Sequence, residues 1–211
     1  MAERTRGRRA GLTRERIIAV AVDLVDRHGL ASFGVRPLAA ALDVDPMSIY
    51  NHIPGKAALL DGVSEAVLTE AANAAPEPPE DWQEIARWMA DSYRAMAMRH
   101  PRVFPLLATR AQRSPVALST LELLAAAMRR AGFADQTIAD APMILFGFLN
   151  GYLLAVLGDP DEPRGDQTEP DPARYPTLAA LAPFHRDFGT KEQFDRMVEV
   201  VLSGIRRGAV H

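Results

Sequence analysis

An all-α fold is what the sequence predicts, and three observations predict it. Apolar residues recur at three- and four-residue spacing along the long segments. Proline and glycine clusters punctuate those segments. No stretch convincingly shows the two-residue alternation of a strand.

The first helix is expected from Thr13, a good N-cap, to about His28, with Ile17, Ile18, Ala21, Val22, Leu24 and Val25 on its apolar side and Gly29 as its stop. A short helix follows over Val35 to Leu42. Asp45-Pro46 then supplies an aspartate cap and a proline at the first helical position, so a third helix is expected over about Pro46 to His52. Ile53-Pro54-Gly55 ends it, and Lys56 to about Ala74 reads as a longer helix. The run Ala75-Pro76-Glu77-Pro78-Pro79-Glu80-Asp81 cannot continue a helix and places a boundary there. Five further helices are expected over Trp82–Arg99, Pro101–Arg110, Pro115–Ala131, Asp135–Gly158 and Lys191–Arg207. Asp159–Pro176, with five prolines and mostly acidic charge, reads as a loop. The division is a basic arm over residues 1–11, a front domain with its connecting helix over 12–74, and a rear domain over 75–211.

Composition narrows function before any motif does. Hydrophobic residues at 48% and charged residues at 24% exclude a disordered or collagen-like chain. The absence of cysteine excludes disulfide frameworks, thiolate zinc sites and cysteine nucleophiles, and fits a cytoplasmic location. The start MAERTRGRRAGLTRER has no secretory apolar core, and the apolar run Met143–Leu157, interrupted by Asn150, falls short of the roughly 20 residues of a membrane span. No membrane partner is therefore expected. The net charge of −3 hides an asymmetry. Residues 1–60 carry nine Lys+Arg against six Asp+Glu, and the remainder fifteen against twenty-one. A basic front suits a polyanion.

The short second helix, tight turn and short third helix form a helix-turn-helix pattern, whose second member lies in the major groove of duplex DNA. Val35, Leu38, Ala39 and Leu42 can face inward, Val44 fills the turn, and Ile49 with Ile53 anchors the third helix. Pro46, Met47, Ser48, Tyr50, Asn51 and His52 are then left facing outward. They mix hydroxyl, amide and apolar groups suited to base edges, thymine methyls and phosphates. Met47 and Ser48 occupy the first turn, where direct readout is expected, although Met47 also suits core filling. Tyr50 fits a phosphate or base contact, or packing between helices. Lys56, at a helix start where free N–H groups favour anions, is a candidate phosphate contact. Arg36 and Thr13 or Arg14, near helix starts, are candidates for backbone contacts, or ordinary caps and surface charges.

In the rear part Trp88, Met89, Tyr93, Met96, Phe104, Leu107, Met128, Phe146 and Asn150 could line a ligand cavity, although many such aromatic and Met positions are plain core. Asn150, inside MILFGFLNGYLLAVLG, needs a polar partner, expected across a subunit seam or on a ligand. Gly147 and Gly151 permit close helix approach there. Nothing supports catalysis: there is no GxSxG, HExxH or phosphate-binding glycine loop, and the histidines lack paired metal spacing. No catalytic residue, metal or cofactor is expected.

The segments LTRERIIAVAVDLVDRHGL and RPLAAALDVDPMSIYNHIPGKAALLD, residues 12 to 62 overall, resemble the DNA-binding segment of the tetracycline-repressor (TetR) family of bacterial transcription regulators. The resemblance rests on Gly29-Leu30, Leu38-Ala39 to Leu42 and Val44, Tyr50 with His52, and Lys56 before Leu59-Leu60. It strengthens a DNA contact for His52. WMADSYRAMAMRHPRVFPLL and FGFLNGYLLAV are similar, more weakly, to the helical ligand-binding and dimerisation part of that family. Two positions depart from the family pattern: Asp43 stands where a turn glycine is common, and Pro37 is unusual. The resemblance implies a homodimeric repressor, released by an unnamed small molecule from a palindromic double-stranded operator, with dimerisation through C-terminal helices. The helix after Lys56 would be its lever. The alternative is a helical ligand-binding or protein-interaction module whose DNA-binding head is vestigial.

Overall fold

The computed structural model describes residues 11–158 and 170–208. Regular structure among these residues is helical throughout: α1 (Arg14–His28), α2 (Val35–Leu42), α3 (Pro46–Tyr50), α4 (Gly55–Ala74), α5 (Trp82–Arg99), α6 (Phe104–Thr109), α7 (Pro115–Arg130), α8 (Asp135–Leu157), α9 (Pro176–Leu181) and α10 (Lys191–Gly208). A 3-10 turn over Ala182–His185 follows α9. The expected basic arm, apart from Gly11, and most of the expected acidic loop lie outside the described residues.

Three boundaries differ from expectation for local reasons. Pro101–Val103 forms a turn, closed by the Val103 and Phe104 N–H groups donating to the His100 carbonyl at 3.1 and 2.9 Å, so α6 begins only at Phe104. α3 stops at Tyr50, and the chain turns through Asn51 and His52 while the Ile53 N–H still reaches the Ile49 carbonyl at 2.9 Å. The unexpected α9 begins with Pro176, whose ring suits a first helical position.

The chain divides into two compact units, Met1–Ala75 with Ala95–Ser119 and Pro76–Arg94 with Thr120–His211. In the first, Ile17, Ala21 and Val25 of α1, Leu38 and Ala39 of α2, Ile49, Ile53, and Leu59, Val63 and Val67 of α4 are buried. Each buried Val, Leu or Ile side chain among them contributes about 1.5–3 kcal/mol. α1 and α4 approach closely at Gly62, where a Cβ would run into Ile18 Cδ1. Residues 95–119 join this unit. Arg110 Nη2 donates to Asp61 Oδ1 at 2.6 Å, linking the end of α6 to α4, while Met96, Val103, Phe104 and Leu107 are buried.

In the second unit α8 packs along α10 through Leu145, Leu149, Leu153, Phe194, Val198 and Leu202. The Arg87 guanidinium grips both oxygens of Glu199, at 2.5 and 3.1 Å, and so ties α5 to α10. That pairing lowers the pKa of Glu199, and the Glu199 hydrogen bond raises that of Arg87. α8 has the expected bounds to within a residue, but against the reading that the apolar run is too short for a span, its 23 residues, with a window of mean hydropathy 1.6, suffice by length and composition to cross a membrane. One side of the helix packs within the unit. The other exposes Met143, Ile144, Gly147 and Gly151.

Candidate nucleic-acid interface

The turn between α2 and α3 is built from backbone bonds that end one helix and start the next. The Val44 N–H donates to the Ala39 carbonyl at 3.0 Å and the Asp43 N–H to the Ala40 carbonyl at 3.2 Å, the paired bonds of a Schellman closure. That closure needs a left-handed residue, and Asp43 supplies it at φ 55°, ψ 47°. Asp45 Oδ1 then accepts from the Met47 N–H at 2.8 Å, with Pro46 at the first helical position.

α3 is thus held at its start, and the burial pattern fixes its rotation. Ile49 and Ile53 are 1% and 2% exposed, so the one-turn helix is anchored to the core by Ile49 and, just past its end, by Ile53. Met47 is 66% exposed and Tyr50 42%, which removes the core-filling reading of Met47 and the buried-packing reading of Tyr50. Asn51 and His52 are exposed, and Pro46 and Ser48 half-buried. Of the side chains expected to face inward, Val35 and Val44 are only half-buried.

Positive groups flank this surface. Lys56, one residue into α4, is exposed, as is Arg36 in the first turn of α2. Among the described residues neither engages a carboxylate. At the start of α1, Thr13 Oγ1 accepts from the Arg16 N–H at 3.2 Å, so Thr13 is a cap. The Glu15 carboxyl is held below its ordinary pKa, first by a hydrogen bond from its own backbone N–H and then by Thr13, so this helix start favours an anion. Arg14 Nη2 lies 3.4 Å from Glu65 Oε2 in an exposed pair too weak to prevent another engagement.

The nine residues expected around one ligand cavity fall in both units. Met96, Phe104 and Leu107 belong to the first and are buried. Trp88, Met89, Tyr93, Met128, Phe146 and Asn150 belong to the second, where Met128 is fully buried and Trp88 is half-buried, its Nε1 donating to the Pro76 carbonyl at 2.9 Å. Asn150 has a partner that neither expectation named: Tyr93 Oη donates to its Oδ1 at 2.9 Å, within one unit of the same chain. Burial pushes the Tyr93 hydroxyl far above the ordinary phenol range, so it remains a donor. Phe146 meets the Tyr93 ring edge to face, with centroids 5.1 Å apart.

Residues 17–63 match the model of the tetR family of bacterial regulatory proteins, and residues 75–208 the tetracyclin repressor-like C-terminal domain. The chain belongs to the tetR family. It is a DNA-binding transcription regulator and not an enzyme. Across 95% of its length it is 27% identical to the HTH-type transcriptional repressor DrrR1 of Streptomyces coeruleorubidus, of which it covers 80%. Crystal structures of ActR from Streptomyces coelicolor share its fold. The apo form matches with TM-score 0.80 at 27% identity over 96% of this chain and all of that one. The complex with actinorhodin matches with TM-score 0.79 at 26% identity over 95% of this chain and 98% of that one.

The fold also brings together polar contacts that sequence reasoning did not find. His100 sits between Asp26 and Glu70, which lie 74 and 30 positions away, and Glu65 pairs with Arg14. No local pattern announces such pairs, because they arise only when α1, α4 and the end of α5 converge.

Proposed function

We propose that this tetR-family regulator is a homodimeric, cytoplasmic repressor that reads a palindromic operator through α3 and is released from it by a small molecule. The observation that carries this reading is the rotation of α3. Burial of Ile49 and Ile53 turns Met47, Ser48, Tyr50, Asn51 and His52 toward solvent, and the exposed Lys56 of α4 and Arg36 of α2 engage no carboxylate among the described residues. Residues 12–74 are then the DNA-binding domain with its connecting helix, and residues 75–211 the effector and dimerisation domain.

Roles follow from position. Pro46, Met47 and Ser48, in the first turn of α3, reach base edges, while Tyr50, Asn51, His52 and Lys56 hold the phosphates of one strand. Thr13, Arg14 and Arg36 add backbone contacts from the starts of α1 and α2. One short helix offers too few base contacts for a specific site, and a two-fold pair doubles them. The seam we assign to α8 and α10. Their outward residues Met143, Ile144, Met197 and Val200 are exposed in the single chain, and a Cβ at Gly147, Gly151 or Gly204 would meet nothing within 4 Å. An apolar stripe with open glycines suits a facing helix, which accounts for the apolarity of α8 without a membrane.

The effector we infer to be a planar aromatic compound carrying hydroxyl or carbonyl groups. Trp88, Met89 and Phe146 supply flat and polarisable surface, and the Tyr93–Asn150 pair supplies a part-buried donor and acceptor. That ActR is known in complex with actinorhodin supports the class without naming the compound. The compound must bind more tightly to the conformation with misplaced recognition helices, because a ligand shifts an equilibrium only by its differential affinity.

Two substitutions test the assigned roles, using operator-bearing and random duplexes titrated at two salt concentrations. Lys56→Ala should weaken binding to every sequence alike and flatten the salt slope by about one unit. Ser48→Ala should change the preference among sequences and leave that slope unaltered. Identical behaviour of the two variants would refute the assignment.

A further inference from the structure

His100, at the end of α5, is a buried histidine with a carboxylate before each ring nitrogen. Nδ1 lies 2.6 Å from Asp26 Oδ2, near the end of α1, and Nε2 lies 3.4 Å from Glu70 Oε2, in the last turns of α4. All three residues belong to the first unit, so this is a junction inside it. The neighbouring cations are accounted for. Arg99 Nη1 donates to the other Glu70 oxygen at 2.8 Å, and Arg102 Nη1 donates to the carbonyls of Asp26 and Arg27 at 3.3 and 3.4 Å.

A neutral imidazole has one N–H and one lone pair, whereas an imidazolium has two N–H groups. With Nδ1–H committed to Asp26 at 2.6 Å, the neutral ring presents its lone pair to the Glu70 carboxylate, an acceptor facing an acceptor. Nε2 is buried and makes no hydrogen bond as it stands. Protonation at Nε2 converts that repulsive approach into a charge-assisted donor contact and leaves one cation between two anions. Histidine is also the side chain whose ordinary titration falls between pH 5 and 8.

We propose that Asp26, His100 and Glu70 form a proton-operated clasp, in which the imidazolium ties the last turns of α4 to the end of α1 and the neutral ring lets them part. The sign follows from the added donor. The tie is stronger with the ring carrying its second proton than with the ring neutral. α4 begins beside the reading head and ends at the clasp, so intracellular acidification would stiffen the helix that carries Lys56. The contact geometry does not depend on the assigned DNA contacts, and the clasp stands or falls without them.

The test is amide hydrogen exchange of the full-length protein by mass spectrometry at pH 6 and pH 8, corrected for intrinsic exchange, following peptides over residues 64–75. In the wild type, protection of these amides should fall about ten-fold from pH 6 to pH 8, the scale of one hydrogen bond to a charged group. Glu70→Gln should remove that fall, because the amide can accept from the charged ring and donate to the neutral one. Glu70 is half-exposed, so this variant folds. It also loses the Arg99 ion pair, which lowers protection equally at both pH values because arginine does not titrate there. His100→Gln is expected to flatten the profile as well. A wild type without the pH-dependent fall, or a Glu70→Gln variant that keeps it, would overturn the clasp.

Discussion

Replacing Asp43 tests how the reading head is joined. Its φ of 55° and ψ of 47° lie in the left-handed region, where a residue with a Cβ pays about 1–2 kcal/mol. The conformation is obligatory, because only a left-handed residue lets the Val44 N–H return to the Ala39 carbonyl at 3.0 Å while the Asp43 N–H reaches Ala40. Asp43→Gly removes the strain and gives back about 0.4–1 kcal/mol through a more flexible unfolded chain, leaving a net stabilisation of about 0.5–1 kcal/mol. Asp43→Val places a β-branched side chain in the same region and should destabilise by at least about 1 kcal/mol. For a chain of this size 1 kcal/mol moves the melting temperature by about 2–4 °C. Scanning calorimetry of the full chain should therefore rank Gly above Asp above Val, with some 3–8 °C between the extremes. Both tryptophans, Trp82 and Trp88, lie in the second unit, so their fluorescence is the wrong probe for this turn. A Val variant as stable as the wild type, or a Gly variant less stable, would refute the closure as described.

Two further substitutions probe the core and the seam. Ile49→Ala removes a side chain that is 1% exposed and should cost about 2–5 kcal/mol in chemical unfolding, with specific DNA binding lost as α3 comes off the core. Met143→Glu, at a position 78% exposed in the single chain, should leave thermal stability of the monomer nearly unchanged yet convert dimer to monomer in sedimentation velocity. An unaltered dimer would move the seam away from α8.

The all-helical architecture was legible because its signals are local. Thr13, Asp45-Pro46 and Gly29 announce helix ends through their own backbone chemistry, and Ile49 with Ile53 announces the orientation of α3 through spacing alone. Asp43 was noticed through the resemblance, as a departure from the common turn glycine, and its left-handed conformation became visible only in the structure. What escaped was cooperative. The start of α6 depends on where the His100 carbonyl is satisfied, and α9, at six residues, is too short for a periodic pattern to record. Asn150 was recognised as a polar group in need of a partner. Its partner, Tyr93, lies 57 positions earlier and could not be chosen by spacing. The same holds for Asp26, Glu70 and His100, whose meeting is a property of three packed elements rather than of any segment.

The central claim is that α3 reads a specific operator with the face that Ile49 and Ile53 turn outward. Selection of randomised duplex DNA by the purified protein at physiological salt, followed by sequencing, tests it directly. The account predicts one palindromic sequence whose enrichment disappears with Tyr50→Ala. Weak binding that ignores sequence and vanishes with salt, alike in wild type and variant, would contradict it.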